Sequence, residues 1–515
     1  MSGRRGRPTF LGMASFRERC IHSRQGGRLA STTTADIDEL VAGLKDRPRV
    51  VLHFHGGLID DTLGFATAER LTPVYEAAGA DPVFFVWSSG LLETLRGNLP
   101  QILNESVFRT LLNRVTRYAT GTVFRQPGQR ALGVVATPSP RAVAAELAQV
   151  RAGQEPYARL TAPPDVPPLS EAEQKQIAAE LSADTELAER TREIVNSVVP
   201  PAQVHPTEPV AAAREVIGGR AAAATLMSPD VVADLAARAG TGERALVSTA
   251  LVVRKTVRVV AAVVGRFRQR NDHGLYPTVV EEILREFYLA NAGAAIWGAM
   301  KRQTADTFTA AGDEVRAGRY FLDRFAELLA SGTRPQVTVV GHSAGAVFIS
   351  NLLDDLARRR AEDDDPLPAD FRLRDVVLLA PACTVAQLAP VVRRQAELFD
   401  RFRMFTMTDA AEQADHLVPF LYPRSLLYFI SGVLERGPAQ RSVVTPIAGM
   451  QHWYLDPAAT GPESDDLRGF LRADPARTVW SPGDVGPGLR AGARSHVAFD
   501  DDPQVLASVA AMLAD

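Results

Sequence analysis

The chain has 515 residues and a formal net charge of -3, with 57 Lys and Arg against 60 Asp and Glu. That near balance gives no electrostatic footing for a nucleic-acid partner. Two cysteines, Cys20 and Cys383, cannot make a disulfide framework, and the basic start (Arg4, Arg5, Arg7) leads into no apolar stretch of secretory length, so a cytoplasmic protein is expected.

In chain order, the first clear element is a helix over Thr34 to Leu44, with Ile37, Leu40, Val41 and Leu44 on one face. Pro48 ends it, and Arg49 to His55 reads as a strand followed directly by Gly56-Gly57-Leu58. A helix from Asp61 to Ala78 and a strand from Pro82 to Trp87 complete a βαβ unit, which implies a parallel sheet with a right-handed crossover. Between about 101 and 310 this rhythm is lost and helical patterns take over. Ser170 with Glu173 forms a capping box that opens a long acidic helix, expected to be a solvated arm.

Ala245 to Phe267 is strongly apolar, but Arg254, Lys255 and Arg258 in its middle would cost a spanning helix roughly 3 kcal/mol each. Lys255, Arg258 and Arg266 share one side, so the helix is amphipathic. It reads either as a cap helix with a wet basic edge or as a peripheral contact with an anionic membrane. Thr278 with Glu281 suggests a second capping box, and Ile283, Leu284, Phe287, Tyr288, Trp297 and Met300 supply an apolar face able to pack over the sheet as a lid. His273 reads as a turn residue in front of that helix.

The stretch Gln336 to Ser350 is the most informative. Val337 to Val340 is short, apolar and β-branched, as a buried parallel strand should be, and a helical pattern with Val347, Phe348, Leu352 and Leu353 begins just beyond. Between them stands Gly341-His342-Ser343-Ala344-Gly345, a nucleophile elbow that lifts Ser343 above the sheet and needs small residues on either side. Strands follow at Val376 to Ala380 and Arg403 to Thr408. Asp409 at the end of the second is the first candidate for an orienting acid, with Asp415 as the alternative and Glu412 behind both. Of the later histidines His416, His452 and His496, the last is the preferred base, because it lies just ahead of a final helix marked by Asp502 as N-cap and Pro503 at its first position.

His55-Gly56-Gly57 after a strand, then the Gly-His-Ser-Ala-Gly elbow, Asp409 and His496, in that order, resemble the α/β-hydrolase superfamily of serine hydrolases, of lipase and esterase type. The resemblance covers about residues 45 to 100 and 315 to 515. It implies a mostly parallel central sheet with helices on both sides, a covalent acyl-enzyme, and no cofactor or metal. The oxyanion donors would be the N–H groups of Gly57, or Leu58, and Ala344. The implied organisation is an N-terminal core part over 1–100, a helical insertion over 101–310 placed before the elbow strand, and a C-terminal core part over 311–515. The expected activity is hydrolysis of a small or lipid-like carboxylic ester. Amide or peptide cleavage by the same triad, and a non-catalytic binding protein on this fold, are the alternatives.

Overall fold

The computed structural model describes residues 16–56, 61–87, 98–102, 104–125, 137–149, 154–198, 226–238, 244–288, 292–309, 312, 314–361, 367–368, 370–419, 421–435, 444–455 and 462–515. Its centre is an eight-stranded sheet in the order β2-β1-β4-β3-β5-β6-β7-β8. The strands are β1 (Cys20–Arg24), β2 (Arg28–Leu29), β3 (Arg49–Phe54), β4 (Asp81–Trp87), β5 (Gln336–His342), β6 (Leu373–Leu379), β7 (Phe399–Met407) and β8 (Thr478–Ser481). All pair in parallel except β2, which closes one edge antiparallel to β1.

Apolar residues run continuously through the inner strands because both faces are covered. In β4, Val83, Phe85 and Trp87 pack to one side with the helices Thr34–Gly43, Ala317–Ala330 and Gly345–Ala361. Phe84 and Val86 turn to the other, against Asp61–Ala77 and the last helix, Pro503–Ala514. The architecture is therefore a three-layer α/β sandwich with the elbow strand β5 in the middle of the sheet. Among the described residues, no helix is long and apolar enough to cross a membrane.

The helical layer has its own apolar cluster, and that cluster takes in Leu417 to Trp453 from the far side of β7 as well as residues of the insertion. Several local expectations change here. The acidic arm is two helices, Glu171–Ser182 and Thr185–Val198, with Asp184 accepting from the Leu187 N–H to start the second. It is not solvated along its length, since Ile177, Leu181 and Leu187 are fully buried. The helix after His273 starts at Leu275 with Pro277 in its first turn, so Thr278 lies inside it and accepts from the His273 N–H.

The basic edge of the helix Arg244–Gln269 is also changed. Lys255 and Arg258 both reach Glu286, at 3.1 and 2.5 Å. Arg266 is wholly buried against Glu281 and Glu282. Arg266 is thereby taken off the wet side of the helix, while Arg258 meets its carboxylate with 39% of its side chain still exposed.

Candidate active site

The elbow is built where β5 ends. Ser343 has φ 53, a left-handed conformation costly for any residue but glycine, and it is held there from both sides. Its N–H donates to the Leu379 carbonyl at 2.8 Å, and its carbonyl accepts from the Ala382 N–H at 3.0 Å. The flanking glycines are required by space. A Cβ on Gly341 would lie 2.6 Å from Ile349, and one on Gly345 would lie 2.1 Å from the Phe54 carbonyl oxygen on β3. The helix can therefore start this close to the sheet only with glycine at both places.

His496 comes from the opposite end of the chain. It opens a single helical turn, His496–Ala498, ahead of the last helix, and its Nε2 stands 2.8 Å from Ser343 Oγ. Both residues are buried, 2% exposed each, yet both line a cavity of about 350 Å³ that opens to solvent past Leu63 and Val497. A larger cavity, about 520 Å³, lies near the starts of β1 and β4 around Cys20 and Asp81 and holds none of these groups.

The two candidate acids are placed apart. Asp409 does stand at the end of β7, but there it opens a six-residue helix, Asp409–Ala414, capped by Thr408. Its carboxylate accepts from Tyr428 Oη at 2.5 Å and Gln413 Nε2 at 2.7 Å, with His452 4.0 Å away. The short helix carries the chain on to Asp415, whose Oδ2 accepts from the His496 backbone N–H at 2.8 Å. The structure thus brings Asp415, and not Asp409, to the loop that holds His496. Glu412 is fully buried between them and bonds to the Ser425 hydroxyl; burial holds its carboxyl well above the usual range, with Asp415 and Asp409 adding to the effect and Ser425 opposing it.

No family model matches the chain, and no curated protein or solved structure does either. The geometry alone therefore carries the chemical reading of this cavity.

For an anion forming at a carbonyl attacked by Ser343, one donor stands ready. The Ala344 N–H, at the head of the helix Gly345–Ala361, has no acceptor among the described residues. The other expected donor, Gly57 or Leu58, lies outside the described residues. Gly56, just before it, passes close enough that a Cβ there would be 3.6 Å from Ser343 Cβ. The turn is fixed by His55, whose Nδ1–H donates to the Gly56 carbonyl at 2.7 Å while its Nε2 accepts from the Trp87 N–H at 3.0 Å. One nitrogen donates and the other accepts, so the ring is neutral, and burial brings its pKa down to about 4.

Asp500 and Arg70, both at the cavity, were not singled out from the sequence. Asp500 stands 3.5 Å from His342 Nδ1, and Arg70, from the helix Asp61–Ala77, bonds the Asp500 carbonyl and pairs with Asp501 at 2.7 Å. The signal for Asp500 is the acidic run Asp500-Asp501-Asp502, which reads equally well as a helix cap, and Arg70 carries none. Among the described residues, no group of three or more His, Cys, Asp or Glu side chains is placed to hold a metal ion.

Proposed function

We propose that the chain is a serine hydrolase of α/β-hydrolase type that cleaves carboxylic esters through an acyl-enzyme. The observation that carries this reading is Ser343 at φ 53 on a strand-to-helix turn, with its Oγ 2.8 Å from His496 Nε2. His496 takes the Ser343 proton as Oγ attacks the carbonyl, and the Ala344 N–H, with a second donor from the loop after β3, stabilises the oxyanion. Protonated His496 then gives the proton to the departing alkoxide, and a water activated by the same base releases the acid. Asp415 serves as the acid that holds the His496 loop and supports the imidazolium. The order Ser343, Asp415, His496 along the chain agrees with this class.

An ester of neutral, apolar acyl character suits the cavity. Leu63 and Val497, at 47% and 44% exposure, are large apolar side chains left open at its mouth, and Leu426 lines it within. Arg70, the one arginine among the described residues that line the cavity, is paired with Asp500 and Asp501 and so is not left open to a charged substrate.

The test is hydrolysis of p-nitrophenyl esters from acetate to palmitate by the wild type, Ser343→Ala and His496→Ala, beside a fluorophosphonate labelling gel. Activity and label that vanish in both variants are expected. A folded wild type with neither moves the reading to a binding protein.

A further inference from the structure

We infer that His342, the residue before the nucleophile, is a positioning residue that grips the His496 backbone and, anchored by Asp500 and Arg70, presents a fixed imidazolium beside the His496 ring. This rests on the reading of Ser343 and His496 as nucleophile and base.

The backbone of His496 is held at both of its polar groups. Its N–H donates to Asp415 at 2.8 Å, and its carbonyl oxygen accepts from His342 Nε2 at 3.0 Å. A carbonyl can only accept, so His342 Nε2 carries a proton. The opposite ring nitrogen, Nδ1, faces the Asp500 carboxylate at 3.5 Å, which again only accepts. With Nε2 donating to a carbonyl and Nδ1 at ion-pair distance from a carboxylate, the ring sits where its doubly protonated, cationic form is favoured. The direction of its pKa agrees: burial opposes the charge, but Asp500 and the His496 carbonyl outweigh burial and hold His342 above its ordinary value. Asp500 is held below the usual carboxylate range, burial being overcome by His342 and then Arg70.

The remaining charged and titratable neighbours leave that charge standing. His53 and His55 approach from β3, and burial takes their pKa values down to about 3 and about 4, so both are neutral. Arg70 comes from the helix Asp61–Ala77 and is itself paired with Asp501. Among the described residues that line the cavity, the one other ring is that of His496, with centroids 5.6 Å apart and planes at 29°. A fixed cation there resists a second positive charge on His496. The base therefore stays neutral, and able to accept a proton, to a lower pH than it otherwise would.

His342→Leu removes both the grip and the charge. It should lower kcat for a p-nitrophenyl ester about 100-fold with KM changed less than about threefold. His342→Gln restores a donor without the charge. It should recover most of kcat while the acid limb of the kcat/KM profile moves up by about one pH unit.

A kcat loss that His342→Gln does not restore, or an acid limb that stays in place, overturns the inference. If His342→Leu fails to fold, the profile of His342→Gln decides alone. Fluorophosphonate labelling separates the two levels. A labelled wild type with His342 variants indistinguishable from it sinks this inference and leaves the hydrolase reading standing, while an unlabelled wild type sinks both.

Discussion

Two trios of histidine, carboxylate and arginine sit in this molecule, and comparing them shows how burial assigns a task to the same chemistry. In the first, His342, Asp500 and Arg70 border the cavity that holds Ser343, and the Arg70 side chain is 37% exposed. In the second, His273, Glu281 and Arg266 are closed off completely, with Arg266 and Glu281 at 0%. Glu281 there accepts from Arg266 at 2.5 Å, from His273 Nδ1 at 2.8 Å and from the Tyr422 hydroxyl. Arg266 and Glu281 come from two helices of the insertion and Tyr422 from the segment after β7, so the second trio pins the helical layer to the chain that also carries Asp415. Gly432 allows the fit, because a Cβ there would stand 2.3 Å from Glu281 Oε2. One trio borders the cavity of the proposed site. The other fixes the frame around it.

The largest expected effects fall at Ser343 and the carboxylates near it. Ser343→Ala should lower ester turnover by at least about 10⁴-fold and leave the thermal midpoint within a few degrees of wild type, since a small buried polar group is exchanged for a smaller one. Asp415→Asn should cost about 10³ to 10⁴-fold in kcat, and Asp409→Asn less than about tenfold. The reverse ranking would return the acid to Asp409 and leave Asp415 as a backbone anchor only. On the second trio the expected effects are on stability. Arg266→Met leaves the Glu281 charge buried without its arginine, so urea unfolding should show a loss of about 3 to 5 kcal/mol with the residual activity per folded molecule unchanged. A loss in kcat without a loss in stability would mean that this trio, too, serves the chemistry.

What could be read from the sequence follows the range of the interactions. The strands β3 to β7 carry short apolar runs bounded by turns, and the elbow is marked by two glycines that the packing against Phe54 and Ile349 demands, so both are local and visible. The choice between Asp409 and Asp415 was not local. It depends on a six-residue helix between them, and on Tyr428 and Gln413 occupying the first carboxylate. Arg266 fell on the basic side of its helix by angle alone; its partners Glu281 and Glu282 lie on the next helix, and helical angle carries no record of a neighbour. His342 and Asp500 are 158 positions apart in the numbering and meet only because β5 and the final loop converge at one end of the sheet. The strand β8, four residues long with one aromatic, gave too little periodicity to be recognised.

The smallest expected effect tests the charge states that distinguish the trios. Burial brings the His273 pKa down from 6.5 to about 4, more than Glu281 beside it can offset, so this ring is neutral and its Nδ1–H donates to Glu281 as an uncharged donor. The unfolded chain binds a proton there near pH 6.5, which the folded chain refuses until about pH 4. His273 therefore contributes full stability above pH 6.5, and its share falls away as the pH drops toward 4, by on the order of 3 kcal/mol. His53 and His55, at about 3 and about 4, act with the same sign, so the wild type should weaken steeply between pH 7 and 5. Urea unfolding of His273→Gln at both pH values isolates one share: the variant should start less stable at pH 7 and lose less on going to pH 5. A variant that weakens as steeply as the wild type would mean that His273 is charged in the fold. The second trio would then be an ion-paired triad like the first, and burial alone would no longer separate them.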